Sequence, residues 1–333
     1  MHRRLLRLVA CLALVNAAPA AEAPLRAGLI GLDTSHVPAF TKLFNDPANT
    51  GDLAGIRVVA GYPGGTDLPA SRDRVAKFTE QVRGMGVEIV ATIPELLARV
   101  DVVLLESVDG RIHLEEARQV LAAGKPVFID KPLAGSLADA VAIVELAKRH
   151  GTPFFSCSSA RFGEGVRGLL TDPEVGGVLG ATTWGPCSYQ EGIPELFFYG
   201  IHGIEALFTL MGPGCASVTR SKGAQQDVVT GLWQDGRVGS YRGLVEGGRD
   251  HGFVAFGHKG VRQAGRSGGY EPLCREIARF FKTRVPPVQA EETLEIHAFM
   301  EAADESLRRG GAPVRLADVL EQARRLAAAK LAE

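Results

Sequence analysis

A short motif of an acid, a lysine and a proline follows a predicted buried strand. Val127 to Ile129 form an apolar run between Gly124 and the motif Asp130-Lys131-Pro132. Such a run with such borders is typical of a strand that is buried on both faces. Ligands of open parallel sheets bind beyond the carboxyl ends of the strands. We therefore expect Asp130 and Lys131 to project into a ligand crevice, while Pro132 ends the strand.

A histidine in the second half of the chain is the next candidate. His202 and Glu205 are three residues apart in a predicted helix, so they share one face of it. Trp184 and Tyr199 are aromatic side chains that suit the face of a sugar. A lone histidine on a helix is usually structural, and Glu205 suits a substrate contact or a surface salt bridge equally well.

Alternating segments of two kinds must position these residues. Strands are predicted at 26–31, 56–62, 87–91, 102–106 and 127–130, with helices at 37–45, 70–83, 94–100 and 113–123 between them. Repeated β–α units imply a parallel sheet with right-handed crossovers. The later strands, at 178–184, 216–220, 228–233, 238–244 and 253–256, predict an antiparallel or mixed sheet, with a hairpin at Asp235-Gly236. We expect an α/β protein with a Rossmann-like doubly wound domain over 24–155 and an α/β domain with an open sheet over 156–333.

The loop after the first strand departs from the dinucleotide-binding fingerprint G-x-G-x-x-G. It reads Gly31-Leu32-Asp33-Thr34-Ser35-His36, in which Asp33 and His36 replace the second and third glycines. A carboxylate there repels a pyrophosphate and fills its space. Three interpretations stay open: NAD(P) binds in a shifted pose on residues 34–36 and Arg72; Asp33 and His36 hold sugar hydroxyls or a metal; or Asp33 caps the next helix.

The unit of strand, Asp-Lys-Pro, helix and strand resembles the Gfo/Idh/MocA family of oxidoreductases. The corresponding family motif is Glu-Lys-Pro, whose lysine works beside a nicotinamide. Arg161-Phe162 resembles a pair at the crossing between the family's two domains. His202 matches the histidine of the family's Asp-x-x-x-His motif, although Phe198 stands at the aspartate position. The resemblance covers essentially the whole chain after its first residues.

The resemblance implies roles for particular residues of this chain. Lys131 and His202 are the expected catalytic pair. The substrate contacts expected from the aromatic and acidic side chains are Trp184, Tyr199 and Glu205. The cofactor, NAD or NADP, is expected to contact Gly28, Gly31, Asp33, Thr34, Ser35, His36, Glu106, Asp130, Pro132 and Arg161. No metal site is assigned.

The implied activity is NAD(P)-linked oxidation or reduction of a sugar, a cyclitol or a related polyol. His202 would take the hydroxyl proton as hydride leaves carbon, and Lys131 would hold the reacting oxygen. Because exported proteins have no replenished pool of NAD(H), we also expect that the cofactor is held tightly. The alternatives are a lyase or isomerase without nucleotide, with a metal at Asp33 and His36, and a sugar-binding protein without activity.

The N-terminal residues are predicted to be a secretory signal. Arg3, Arg4 and Arg7 precede an apolar run and then small residues, with cleavage expected after Ala20. This run is too short to span a bilayer, so we expect an exported, periplasmic or secreted protein. With 37 basic and 38 acidic residues there is no excess positive charge to indicate nucleic acid. The resemblance also implies a homo-oligomer that forms through the open sheet.

Overall fold

The computed structural model describes residues 23–266 and 268–332. The predicted signal at residues 1–20 lies outside the described residues. Within them, two sheets with their flanking helices make up the fold, and the predicted α/β class is confirmed.

The first sheet contains six parallel strands. In sheet order β3-β2-β1-β4-β5-β6 the arrangement is doubly wound, with β1 and β4 adjacent at the point where the strand order reverses. Every residue of the last three strands is buried, as their apolar sequences predict. The strands are β1 Leu25–Ile30, β2 Ile56–Tyr62, β3 Glu88–Ile89, β4 Val102–Leu105, β5 Val127–Asp130 and β6 Phe154–Cys157.

Helices connect these strands and cover the sheet. They are α1 His36–Phe44, α2 Pro69–Arg72, α3 Val75–Gly84, α4 Ile93–Leu97, α5 His113–Ala122 and α6 Leu137–His150. Helix α6 begins after a side-chain cap, because Ser136 Oγ accepts a hydrogen bond from the Asp139 N–H, and it ends at a left-handed Gly151. The single helix predicted over 70–83 is wrong: α2 ends at Arg72 and α3 starts at Val75.

The second sheet is mixed and has seven strands. Strands β7 and β10 are parallel, and every other pair is antiparallel, in the order β12-β11-β7-β10-β9-β8-β13. The strands are β7 Val178–Pro186, β8 Cys215–Lys222, β9 Gln226–Trp233, β10 Val238–Leu244, β11 Gly252–Gly257, β12 Val261–Gly265 and β13 Val314–Arg315.

Five further helices accompany this sheet: α7 Glu164–Thr171, α8 Ile201–Met211, α9 Glu271–Thr283, α10 Ala290–Arg308 and α11 Leu316–Lys330. Three of them also pack against the first half of the chain, since α10 and α11 contact α6. Helix α9 lies against the first domain as well, where the Phe280 ring meets the Phe155 ring edge-on at 5.0 Å between centroids. Arg279 on the same helix pairs with Asp52 at 2.6 Å. The two halves of the chain are therefore held together by several helices of the second.

Two further features concern membranes and thiols. Among the described residues, none of the helices has both the length and the apolar character needed to cross a bilayer. Cys157, Cys187, Cys215 and Cys274 are free and buried, as small apolar side chains are expected to be.

Candidate active site at the domain junction

One cavity of about 110 Å³ lies at the junction of the two domains. Lys131 reaches it from the turn after β5, and His202 reaches it from α8. Its lining comprises Thr34, Ser35, His36, Arg74, Val108, Lys131, Phe198, Tyr199, His202, Arg266 and Tyr270. The two residues with the clearest chemical roles in the sequence thus share one small, closed space.

The turn that carries Lys131 is fixed by its own backbone. Asp130 Oδ1 accepts a hydrogen bond of 2.8 Å from the Lys131 N–H, and the Lys131–Pro132 peptide bond is cis. The Lys131 Nζ stands 5.9 Å from the centroid of the Tyr199 ring. Over residues 23–266 and 268–332 this ammonium has no carboxylate within ion-pair distance, so it is available to a ligand oxygen.

His202 is a buried, neutral imidazole. Its Nδ1 lies 2.7 Å from Ser158 Oγ, and its ring meets the Tyr199 ring edge-on at 5.1 Å. Burial and the nearby charge of Lys131 hold the pKa of His202 well below its usual range. Because Nδ1 is engaged by Ser158, Nε2 is the nitrogen that can exchange a proton with a ligand.

Three ionisable side chains converge beneath the cavity. His36 Nδ1 lies 2.8 Å from Asp130 Oδ2 and 3.5 Å from Glu106 Oε2. Burial raises the pKa of Glu106 to about 8. Burial alone would raise the pKa of Asp130 as well, but the charge and contact of His36 lower it overall. The cluster follows from topology, since β4 and β5 end side by side and α1 begins next to them.

The loop between β1 and α1 is packed tightly against the neighbouring strand. Gly31 has φ of 81°, and a Cβ there would lie 2.2 Å from Ser107 Oγ, so only glycine fits. Asp33 is fully buried, and it accepts hydrogen bonds from Ser71 Oγ at 2.5 Å and from the Val108 N–H at 2.9 Å. Asp33 thus ties three segments together, and Ser35, not Asp33, precedes α1.

Side-chain hydrogen bonds connect the segment after β2 to the loops that follow β1 and β4. Thr66 Oγ1 donates to Asp109 Oδ2 at 2.8 Å, in addition to the bond from Ser71 to Asp33. Gly64 also approaches, since a Cβ there would be 3.5 Å from the Cα of Gly31. We call residues 63–74 with these contacts the bridge segment. It lies over the loop at which a dinucleotide phosphate would bind.

Several residues selected from the sequence lie outside the cavity lining. Arg161 pairs with Glu205 and with Glu292, each at 2.7 Å, so this arginine and Glu205 satisfy one another in the interior. Trp184 packs under Gly252, whose added Cβ would stand 1.9 Å from the indole ring. Gly28 makes room for α4, because a Cβ there would meet Leu96 at 2.6 Å.

Other lining residues were not selected from the sequence. They are Arg74, Val108, Phe198, Arg266 and Tyr270. Tyr270 precedes α9 and touches the His36 ring edge-on at 4.7 Å. Because its helix reads only as an amphipathic element, no local signal indicates that α9 returns to the first domain. The sequence does indicate that Phe198 lies near the site, since it stands at the aspartate position of the family motif.

Comparisons with known proteins agree with this architecture. Residues 68–157 match the Gfo/Idh/MocA oxidoreductase family with its NAD-binding Rossmann fold. An inositol 2-dehydrogenase of Burkholderia ambifaria is 33% identical over 143 residues, which cover 42% of this chain and 40% of that protein. Other inositol 2-dehydrogenases from Burkholderia match similarly, and the chain spans about two fifths to a half of the length of these curated relatives.

Solved structures with the same fold extend over nearly the whole chain. A myo-inositol 2-dehydrogenase from Lactobacillus plantarum superposes with a TM-score of 0.71 at 15% identity, covering 88% of this chain and 99% of that one. GenD2 of gentamicin A biosynthesis, in complex with NAD, gives a TM-score of 0.71 at 19% identity and covers 91% and 99%. These solved structures share the fold of this chain, and residues 68–157 are similar to the Gfo/Idh/MocA oxidoreductase family.

Proposed function

We propose that this protein is an NAD(P)-linked oxidoreductase that acts on a hydroxyl-bearing carbon of a cyclitol, sugar or related polyol. One observation carries the proposal: Lys131 and His202, from different domains, line the same cavity. The inositol dehydrogenases among the relatives support the substrate class. Trp184 and Glu205, expected as substrate contacts, stay outside the proposed site because their contacts lie elsewhere.

The residues of the first domain fit a nicotinamide nucleotide at two positions. Gly31 allows the backbone to pass close to β4, and the loop that follows it leads into α1, a helix of nine residues. For the described residues, no hydrogen bond engages the N–H groups of Asp33, Thr34 and Ser35, so these groups can hold a phosphate at the helix N-terminus. Lys131 and Pro132 follow β5, so they lie at the same carboxyl edge of the sheet, next to the cavity.

The same edge departs from an ordinary nucleotide site in charge and in space. The buried Asp33 carboxylate lies within the phosphate loop, and the cavity of about 110 Å³ is smaller than the roughly 300–1,000 Å³ of typical ligand pockets. Binding of the whole dinucleotide therefore requires the bridge segment to move away from the loop.

The chain's own residues support proton transfer at a substrate hydroxyl. A bound nicotinamide would supply the hydride acceptor or donor. The neutral His202 can take the hydroxyl proton on Nε2, while Ser158 keeps the ring oriented through Nδ1. The Lys131 ammonium can hold the same oxygen and stabilise the negative charge that develops on it. Tyr199, in contact with both side chains, shapes the wall beside them.

The closed bridge segment favours a second candidate function. A lyase or isomerase without nucleotide would use the same two side chains to remove a proton next to a carbonyl, and it would need no opening of the phosphate loop. In that case the contacts of Asp33 with Ser71 and Val108 would be permanent.

Export and self-association are part of the proposal. The basic and apolar residues of 1–20 support export, and a tightly held nicotinamide would then remove the need for an external pool. The seven-stranded sheet carries exposed apolar side chains such as Leu232 and Val238, which support a homo-oligomer formed through that face. Cell fractionation and light scattering test these two points.

The deciding experiment examines nucleotide and turnover together. The purified chain is denatured, and released NAD(H) or NADP(H) is measured by mass spectrometry; calorimetry with added nucleotide follows. The protein is then incubated with a panel of cyclitols and sugars, with and without nucleotide. We expect nucleotide binding and nucleotide-dependent oxidation. Turnover of an oxidised sugar without any bound or added nucleotide would favour the lyase or isomerase, and no turnover at all would overturn both.

A further inference from the structure

Several buried polar atoms in the cluster of His36, Glu106 and Asp130 lack hydrogen-bond partners. Glu106 is 0% exposed, and neither of its carboxylate oxygens has a hydrogen-bond partner among the described residues. His36 Nδ1 also lacks one, because its 2.8 Å contact with Asp130 does not have hydrogen-bond geometry. A buried carboxylate without a partner is costly, and the single charge of one imidazole can balance only one of the two acids.

The geometry suits a metal ion better than an internal ion pair. One imidazole nitrogen of His36 and one carboxylate oxygen each of Glu106 and Asp130 lie within 4.8 Å of one another. A protonated imidazole would balance one negative charge and would donate a hydrogen bond to a carboxylate. Here the hydrogen bond is not made, and two carboxylates face one ring. A divalent cation would balance both charges and occupy the lone pairs.

The surroundings hold the imidazole in place. The Phe40 ring stacks on the His36 ring at 5.2 Å, with 9° between their planes, and Tyr270 contacts it edge-on. Rigid neighbours of this kind fix the direction of a metal-binding nitrogen. His36 also lines the cavity that Lys131 and His202 share, so the cluster lies next to that cavity.

We propose that His36, Glu106 and Asp130 bind one divalent transition-metal ion, of the class of Zn²⁺ or Mn²⁺. Imidazole together with carboxylate is the donor set that these ions accept. Three protein ligands leave coordination positions free, which is the composition of a site that takes a ligand oxygen rather than a structural site. The sequence predicts cofactor contacts for these three side chains, but the proton transfer proposed above uses Lys131 and His202 instead, so metal binding can be tested apart from turnover.

The test measures metal binding on the full chain without any activity assay. The protein is stripped with a chelator and dialysed, then titrated with ZnCl₂ or MnCl₂ by calorimetry, and the retained metal is counted by mass spectrometry. Wild type should bind one ion per chain. His36→Ala and Glu106→Gln should each lower the affinity by about 100-fold or more, since each removes a direct ligand. Co²⁺ should give a visible spectrum of a nitrogen- and oxygen-bound ion in wild type and not in His36→Ala.

A matched control separates ligation from the general loss of a buried acid. Glu116→Gln changes another buried carboxylate of the same domain, which is hydrogen-bonded to Ser107 Oγ at 2.7 Å and lies outside the cluster. This variant should bind metal as wild type does.

Thermal unfolding guards against variants that do not fold. Metal should raise the Tm of wild type and of Glu116→Gln. It should not raise the Tm of Glu106→Gln, which should still fold because Gln has nearly the size of Glu and carries no charge. The proposal is overturned if wild type binds neither ion, or if His36→Ala and Glu106→Gln bind as tightly as wild type. Nucleotide binding is measured separately, so failure of either proposal is recognisable on its own.

Discussion

At the scale of single residues, the carboxyl end of the first sheet holds an unusual number of buried acids. Asp33, Glu106, Glu116 and Asp130 are all nine-tenths buried or more. In the sequence, three of them stand at the end of a predicted strand or in the loop that follows one. The sequence could not assign a role to Asp33, because its partners Ser71 and Val108 are 38 and 75 positions away.

The imidazole of His36 illustrates a second limit. From the sequence, a metal alternative joins His36 with Asp33, its near neighbour. The structure joins His36 with Glu106 and Asp130 instead, because the order of strands, and not closeness in the chain, decides which loops meet. The strand order β1-β4-β5 places the ends of β4 and β5, which carry Glu106 and Asp130, beside the start of α1, which carries His36.

The buried carboxyl of Glu116 should make the stability of the chain depend on pH. Burial raises its pKa to about 8, above that of the unfolded chain, so the folded state keeps a proton that the unfolded state loses. The resulting stability is present below about pH 4.5 and is lost as pH rises through about 8. Each unit of pKa shift corresponds to about 1.4 kcal/mol. Glu116→Gln should therefore reduce the fall in unfolding free energy between pH 5 and pH 8.5, as measured by denaturant unfolding.

The control for this prediction is Glu115→Gln, an exposed neighbour on the same helix. It should leave the pH profile unchanged. An identical slope for Glu116→Gln and wild type would show that Glu116 titrates as in the unfolded chain.

The Asp33 carboxylate should weaken nucleotide binding by repulsion. Asp33→Asn keeps an oxygen for the Val108 N–H and removes the charge. We expect affinity for NAD or NADP to rise roughly tenfold, because a like-charge contact at a few Å costs on the order of 1–4 kcal/mol. Asp73→Asn removes the charge of an exposed acid nearby and tests whether a change in net charge alone raises the nucleotide affinity. Calorimetry that gives the same affinity for Asp33→Asn and wild type contradicts the repulsion argument.

At the scale of elements, strands and long helices follow the sequence pattern closely, while the bridge segment does not. Residues 70–83 read as one helix, yet the chain breaks between α2 and α3. Ser71 there bonds to Asp33 on another loop, and a tertiary contact of this kind overrides local propensity. The sequence does not predict the short strands β12 and β13, since each is recognised only by its pairing with a neighbouring strand.

The bridge segment should oppose nucleotide entry. Thr66→Val removes the hydrogen bond to Asp109 while keeping the side-chain shape. A bond to a charged group contributes about 1.5–3 kcal/mol, so opening becomes easier and NAD affinity should rise by about tenfold or more. Thr171→Val, on the surface of α7, is the matched control and should change nothing. An affinity that stays the same or falls in Thr66→Val would mean that the bridge persists in the bound state.

At the scale of the whole molecule, the α/β fold with a parallel sheet and a second, mixed sheet could be predicted because alternating β–α units and a later run of strands each have a clear periodicity. The return of α9 could not, because an amphipathic pattern identifies an apolar face but not what covers it. This helix makes the first domain depend on the second half of the chain, since Phe280 is fully buried against Phe155.

Removing this contact should destabilise both domains together. Phe280→Ala should cost about 3–5 kcal/mol, the usual cost of truncating a buried aromatic side chain. The two domains should unfold in one transition at a lower denaturant concentration. Leu326→Ala, on an exposed part of α11, should have little effect. A variant that loses only part of its signal in an early, separate transition would show that α9 is not what couples the domains.

The central claim is that Lys131 and His202 act together on one ligand. The most direct measurement is kcat/KM of wild type, Lys131→Ala, His202→Ala and the double variant on the same substrate, with nucleotide affinity measured in parallel. The account predicts that each single change lowers kcat/KM by about 100-fold or more, that nucleotide affinity stays nearly constant, and that the double variant loses less than the product of the two. Either single variant with wild-type kcat/KM would contradict it.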